Sequence, residues 1–509
     1  MFEKIKEKDV SAYIGILVGL IIGGTGLYFV NMQLTMNDAF WHIKAGEWVS
    51  QRGIVDKCYG SWVLAKDEWM AHEWLFGWFM YQISRTGMDN IVRLFGVLFL
   101  MTVFLCLFQA GLGKKNENPP MFYWGAVLTL QFIVYALQMT ARPQYIAAIM
   151  IAIFLLVLNT SLKKNYKWLY LLPVLTIFWV NIHGGTSLLS YITVLVYLLC
   201  NVLDGNIGRI RFHRADRKWI QHCCIVLLLI IGAIMVNPYG YRMLIYPYQN
   251  MQDKLMVSLI VEWAPPDAKN IATLLFQIMP MLFGCVAIMQ YRENIKAHDV
   301  ALFFLYLILY LRSERFYPFL VVVQTCLITP YAFRVKGIIP WKKKKEEKKE
   351  TNYRIYNNLS ILLLGAICIS YLIYLLGSAD YNEIEKNKEL PDELLEQVCR
   401  DEPKRLCNQY SIGGYLLYHD VDVFVDGRYE PYNQKNVMND YVALMHTVDI
   451  DMYHQIGELI DKYEFDSFLI STGSVSLAAY LEENPDRYEL CYADEDWLYY
   501  KNLESYDIE

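Results

Sequence analysis

The residues best suited to chemistry open the first long polar segment of the chain. NDAFWHIKAGEW places Asp38 and His42 four residues apart, on one face if the segment is helical, and HEWL adds His72 and Glu73 further on. A carboxylate among imidazoles is equipment for moving a proton, such as the one an attacking hydroxyl must lose. Later loops contribute Arg142 in TARPQ, His183 in NIHGG, Asn237 and Tyr239 in NPYG, Glu262 and Trp263 in VEWAPPD, and Arg312, Glu314 and Arg315 in LRSERFYP. Guanidinium groups make bidentate contacts to phosphate oxygens, and Trp41, Trp48, Trp69, Trp74 and Trp263 offer flat surfaces against which a sugar ring can lie. The combination suits glycosyl transfer from a phosphorylated, membrane-borne donor. Asp38, His42, His72 and Glu73 are then the catalytic candidates, and Arg142, His183, Asn237, Tyr239, Glu262, Trp263, Arg312 and Arg315 the substrate-binding ones. Asp38 and Glu262, with His72, are also candidate ligands of a divalent cation such as Mg or Mn, although no compact HExxH motif is present.

Each residue taken singly has a plainer structural use. Arg142 and Arg315 could snorkel, Pro143 and Pro238 could end helices, and His183 could satisfy a carbonyl. The functional expectation rests on the set. Ionised groups near hydrocarbon are costly unless paired or facing polar space, so seven segments delivering them to one face suggest the lining of one extracytoplasmic cavity.

What must position these residues is a membrane-embedded scaffold. Of 509 residues, 55% are hydrophobic and 19% charged, too few ions to wrap a chain of this length in water. Apolar stretches at 11–32, 91–112, 121–138, 143–160, 167–181, 185–203, 219–236, 271–290, 298–312, 315–333 and 357–377 predict a polytopic α-helical membrane protein with about 11 transmembrane helices. The segment 68–85 is expected as an amphipathic interfacial helix. With the N-terminus cytoplasmic, the segments 1–10, 113–120, 161–167, 204–218, 291–297 and 334–356 carry more than half of the 46 Lys and Arg, the positive-inside pattern. The runs RIRFHRADRK and WKKKKEEKKE are thus expected beside anionic membrane lipid rather than on nucleic acid. Most Cys lie in apolar runs; Cys399 and Cys407 could bridge in an oxidising compartment.

The expected organisation is a transmembrane domain at 1–378, with a long first extracytoplasmic loop at 33–90, followed by a small extracytoplasmic α/β domain at 379–509. In that domain, strands are expected at 421–426, 465–470, 488–492 and 497–500, and helices at 452–463 and 475–483. CNQYSIGGYLLY and VFVDGRYEPY place Asn408, Tyr410, Gly413 and Gly414 near an element boundary and Asp426 and Arg428 at a strand's end. Asp426 and Arg428 either bind substrate or form a buried pair that holds the loop. No GxGxxG or GxxxxGK[ST] follows a strand, so neither common nucleotide site is expected.

The motifs NDAFWHIKAGEW, HEWL, ARP, NIHGG, NPYG, EW, GGYL and VDGRYEPY resemble those of a large bacterial group of membrane proteins near the GT-C superfamily of multispanning glycosyltransferases. The resemblance covers nearly the whole chain. It implies a polyprenyl-phosphate sugar donor and an extracytoplasmic envelope glycan, lipid or protein acceptor, in the bacterial cytoplasmic membrane. It also implies that Asp38 serves as the first-loop base or metal ligand. The chain departs from the paired acidic motif of some members, because Asn37 precedes Asp38. Two alternatives stand beside transfer: a transporter or flippase of lipid-linked glycan, and a non-catalytic scaffold in envelope polysaccharide assembly.

Overall fold

The computed structural model of the protein describes residues 21–24, 37–110, 121–250, 255, 260–291, 293–332, 389–446 and 453–504. The span expected at 357–377, all but 21–24 of the span at 11–32, and the basic block at 341–350 lie outside the described residues. The chain divides into two compact units. One comprises Met1–Leu34, Val92–Met139 and Pro143–Tyr381; the other comprises Thr35–Ile91, Thr140–Arg142 and Asn382–Glu509. The long first loop therefore clusters with the C-terminal residues rather than with the helices between them.

The first unit is helical. Its segments include Met121–Leu137, Gln144–Lys163, Leu171–Ile182, Leu188–Val202, Arg217–Ile234, Met279–Gln290, Ala297–Arg312 and Tyr317–Val323, together with most of Asp89–Ala110. Among the described residues, five helical stretches are long and apolar enough to cross a membrane: Asn90–Ala110, Gln144–Lys163, Gly184–Val202, Arg217–Ile234 and Ile271–Gln290. Phe104, Phe108, Leu228, Met289 and Ile308 point their side chains outward. Such exposure opposes folding in water but costs little against lipid, and the helices satisfy their own backbone groups as hydrocarbon requires.

Polar contacts tie the helix ends together in two groups. At one, the hairpin of β1 (Gly205–Ile207) and β2 (Ile210–Phe212) receives β3 (Ile295–Lys296) parallel to β2. Trp219 donates to Ser161 Oγ at 2.9 Å in the same group of segments. This joins 161–167, 204–218 and 291–297, three segments expected on one membrane face. In the other group, Ser313 donates to the Glu262 carbonyl at 3.0 Å, and the Glu314 N–H donates to the Ala264 carbonyl.

The second unit begins with two helices, Asn37–Arg52 and Trp74–Ser84. They cross at a pair of glycines, where a Cβ on Gly46 would lie inside the Gly77 carbonyl and one on Gly77 would reach the His42 carbonyl at 2.8 Å. Backbones meet here because neither residue has a side chain. Of the interfacial helix expected at 68–85, only Trp74–Ser84 is helical; Glu68 instead bridges to Lys57 in an extended turn.

The C-terminal residues form a four-stranded sheet in the order β4 (Leu406–Asn408), β5 (Ser467–Ser471), β7 (Trp497–Asn502), β6 (Tyr488–Ala493). β4 and β5 are parallel, and the other pairings are antiparallel. Helices Asp392–Asp401, Tyr453–Tyr463 and Val475–Glu482 alternate with these strands. The strand expected at 421–426 is absent as a ladder: only Val423 bridges, to Ser61. The reason is Asn408. Its side-chain amide accepts from Phe424 N–H at 2.8 Å and donates to the Val425 carbonyl at 2.8 Å, replacing a neighbouring strand. Val423, Phe424 and Val425 are buried, which is why the run has the apolar content of a strand. Cys399 and Cys407 are free thiols.

First-loop and C-terminal residues share one core. Trp62 donates from Nε1 to the Leu406 carbonyl at 3.1 Å, and its ring stacks on Phe424 and meets Tyr463 and Phe465 edge-on. A substitution at the helix crossing tests this architecture. Gly46→Ala is expected to destabilise the protein by at least about 1–3 kcal/mol through overpacking, read as a lowered midpoint of thermal unfolding in detergent. Gly232→Ala, with open space around it, is expected not to lower that midpoint.

Candidate functional site

The Asn37–Arg52 helix carries Asp38 in its first turn and His42 one turn later. Asp38 is held from two sides. Trp41 Nε1 donates to Oδ1 at 3.4 Å, and Arg142 Nε pairs with Oδ2. Arg142 comes from the turn Thr140–Arg142, closed by its own N–H donating to the Thr140 carbonyl, with Pro143 capping the next helix. A third element closes on the same carboxylate: a Cβ on Gly427 would meet Trp41 Nε1 at 2.7 Å and Asp38 Oδ1 at 3.0 Å. Only a glycine allows the VDGRY segment to approach so near.

Beside this pair, Glu73 sits between two imidazoles, 3.5 Å from His42 Nε2 and 3.4 Å from His72 Nε2. The Gly46–Gly77 crossing brings His42 and Glu73 together, since each lies four residues before its glycine. His42 is buried, stacked on Trp41 with ring centroids 3.6 Å apart and edge-on to Phe76. Burial lowers its pKa to about 4, outweighing the opposing charges of Glu73 and Asp38, so it is neutral at pH 7. With Nε2 turned to Glu73, Nδ1 has no hydrogen-bond partner among the described residues. Burial also disfavours the His72 cation, but the charge and hydrogen bond of Glu73, the charge of Glu430 and the Met70 carbonyl together raise it above its usual value. One carboxylate thus serves two imidazoles of opposite tendency.

Asp426 and Arg428, left open between substrate binding and a buried pair, form the buried pair. Asp426 is 0% and Arg428 2% exposed. Arg428 donates from Nε to Asp426 Oδ1 at 2.8 Å, from Nη2 to Oδ2 at 2.5 Å, and from Nη1 to the Tyr59 carbonyl at 2.8 Å. Tyr432 donates its hydroxyl to Asp426 at 2.5 Å. The guanidinium lies 5.4 Å from the Trp48 ring and 5.0 Å from the Trp69 ring. Two of the five expected sugar platforms, Trp48 and Trp69, therefore face this cation.

The remaining expected residues belong to the first unit. Arg315 pairs with Glu262 at 3.2 Å and lies over the Trp263 ring at 4.8 Å. Glu314 accepts from Gln138 at 3.1 Å and from Gln277 at 2.6 Å. Arg312 is exposed on its helix end. His183 is buried and its Nδ1 faces the Thr186 hydroxyl at 2.9 Å, while Thr186 accepts from Trp179. Asn237 builds its own turn: its amide donates to the Ile234 and Gly240 carbonyls and accepts from the Tyr239 N–H. His183 thus faces a hydroxyl where a carbonyl was the plainer expectation, and Asn237 serves the turn in which it lies. Asp38 and Glu262, the expected metal ligands, each face a guanidinium, and among the described residues no group of three or more His, Cys, Asp or Glu could hold a metal.

Sequence inspection passed over Glu389, whose buried carboxyl feels the charge of Asp38, and over Gln138 and Gln277, which no motif marks. It also passed over Tyr59 and Tyr432, two of the partners that satisfy the buried pair. The buried pair makes a sharp forecast. Arg428→Ala leaves Asp426 uncompensated in the interior and is expected to cost about 3–5 kcal/mol, seen as loss of the unfolding transition or a large fall in its midpoint. Arg315→Ala, at a half-buried pair, is expected to cost about 1 kcal/mol or less.

Neither a protein-family model nor a curated protein matches the chain. Among solved structures, the apo crystal structure of the Archaeoglobus fulgidus oligosaccharyltransferase matches at 11% identity and a TM-score of 0.49, covering 97% of this chain and 75% of that one. The same organism's oligosaccharyltransferase AglB, in complex with an inhibitory peptide and a dolichol-phosphate, matches at 10% identity and a TM-score of 0.48 with the same coverage.

Proposed function

We propose that the protein is a glycosyltransferase of the bacterial cytoplasmic membrane, moving a sugar from a polyprenyl-phosphate-linked donor to an envelope glycan, lipid or protein acceptor on the extracytoplasmic side. The observation that carries this reading is the meeting of Asp38, Arg142 and Trp41 at one point, closed by Gly427. Asp38 takes the proton of the acceptor hydroxyl as its oxygen bonds to the anomeric carbon and the carbon's bond to the phosphate oxygen breaks. Arg142 neutralises charge on the departing phosphate. Glu73 and the two imidazoles fix the helix that carries Asp38 and provide neighbouring groups able to exchange a proton. No step is assigned to a divalent cation.

The membrane arrangement belongs to the same proposal: about eleven spans, a cytoplasmic N-terminus, and the first loop and C-terminal α/β residues outside. Two features support it. The strands β1 to β3 join segments expected on the cytoplasmic face, and Glu262 joins Ser313–Arg315 among segments expected on the outer one. Arg315 over the Trp263 ring is a second candidate contact for a phosphate or sugar in the first unit.

Asp38→Asn is expected to lower glycan transfer by about 10²–10⁴-fold while the protein still inserts, because the amide keeps the shape and the hydrogen-bonding oxygen that Trp41 and Arg142 contact. Transfer in purified membranes, with mass analysis of lipid-linked intermediates, reads this out. Full turnover by the variant would overturn the role of Asp38, and a complete lipid-linked product trapped on the inner leaflet would point to flipping instead.

A further inference from the structure

Two helices of the first unit, Leu171–Ile182 and Arg217–Ile234, pack against one another, and the short turn Tyr166–Tyr170 that precedes the first meets the second turn of the other. His222 is the joint. Its ring lies flat on Tyr166, with centroids 4.1 Å and planes 13° apart, and the Tyr170 hydroxyl lies 2.6 Å from its Nδ1. With that hydroxyl donating to Nδ1, a neutral ring carries its proton on Nε2. Among the described residues, none accepts from Nε2. The later helix is graded along one face. Lys218, His222, Ile225 and Leu229 follow one another at helical spacing, about a quarter turn from the buried stripe Trp219, Cys223, Val226 and Ile230. Lys218 is exposed, His222 half-buried, and Ile225 and Leu229 are exposed again. The neighbouring helix repeats the order: Lys167 and Tyr170 are exposed at its start, and Val174 and Phe178 further in.

Cations at the helix ends, a fixed hydrogen-bond donor on an aromatic floor, and bare aliphatic surface beneath them match a phospholipid from headgroup to acyl chain. The charge balance selects its type. Segments 161–170 and 213–222 carry Lys164, Lys167, Arg217 and Lys218, and Asp216 is their one carboxylate. Among the described residues, none of these four cations is held in an ion pair. We propose that this corner is a binding site for an anionic glycerophospholipid of the surrounding bilayer. Lys167 and Lys218 match the headgroup charge, His222 Nε2 donates to a phosphate oxygen, and the acyl chains lie along the two exposed stripes. A zwitterionic lipid offers the same phosphate, but its ammonium group is repelled by the same lysines. Loose attraction of a basic loop to a charged membrane needs only the lysines; the seated imidazole and the apolar surface of both helices add a place for one molecule. The site stands apart from Asp38 and requires no assumption about donor or acceptor.

The test is native mass spectrometry of the full chain in detergent, titrated with phosphatidylglycerol or with phosphatidylcholine of the same acyl chains, reading the affinity of the first bound lipid. Phosphatidylglycerol is expected to bind several-fold more tightly. Replacing Lys167 and Lys218 together by Ala is expected to weaken it by about fivefold for each lysine lost and to leave phosphatidylcholine unchanged. Both lysines are exposed, so the double variant is expected to unfold with the wild type when no lipid is added. His222→Phe keeps a ring against Tyr166 but has no N–H to give, and is expected to weaken phosphatidylglycerol binding several-fold. Arg211→Ala, an exposed cation on β2, is expected to change it little. Equal affinity for the two lipids overturns the proposal, as does wild-type binding by the double lysine variant or by His222→Phe. A loss with Arg211→Ala as large as that of the double variant shows attraction to surface charge in general and overturns the site. Displacement of phosphatidylglycerol by an equal concentration of inorganic phosphate shows a free-anion site and overturns the lipid assignment.

Discussion

A guanidinium cannot stay in a protein interior unless its charge is matched and its N–H groups are bonded, because burial strips away several kcal/mol of hydration. Arg428 is buried, and the groups that satisfy it come from both ends of the second unit. Asp426 and Tyr432 belong to the C-terminal residues, while Tyr59, Trp48 and Trp69 belong to the first loop. Neither segment can keep its position while the other leaves. Lys44 to Asp420 and Lys435 to Asp67, both at 2.5 Å, repeat the connection nearer the surface, where each pair contributes less.

The position of the candidate base follows from this constraint. Gly427 lies between Asp426 and Arg428, so burying that pair presses the glycine backbone against Trp41 and Asp38. The same helix is pinned on its other flank by the Gly46–Gly77 crossing, which leaves His42 facing Glu73. Asp38 is therefore fixed by contacts on several sides before any ligand arrives. Preorganisation of this kind places a catalytic group without further conformational cost during reaction.

The first unit handles its polar groups differently. Two of its described glutamates sit where helices end and are matched locally: Glu314 by two amides, Glu262 by Arg315. Gln324 on one helix donates to the Pro280 carbonyl on another, filling a place where a Cβ on Gly284 would also press. Such contacts satisfy backbone and side-chain groups in a unit whose outer surface is apolar.

Much of the helical framework was legible in the residues. Expected stretches such as 91–112, 143–160, 219–236 and 298–312 correspond to helices, because an apolar run of that length has few other ways to satisfy its backbone. The strands near 465–470, 488–492 and 497–500 were legible for a similar reason, as short apolar and aromatic runs bounded by turns. The failure at 421–426 is instructive: apolar content marks burial, but whether a buried backbone joins a ladder depends on which partner reaches it, here the Asn408 amide. The motifs around Asp38, Arg142 and Arg428 drew attention to residues that the fold holds in ion pairs. Composition and spacing by themselves determined a helical membrane protein with basic, carboxylate and aromatic groups concentrated at its loops. Only the tertiary structure decided that Asp38 meets Arg142, that Arg428 is a buried anchor, and that Gly427 closes on Asp38. Charge pairing depends on distance in space, and the partners are separated in sequence by more residues than any local pattern spans.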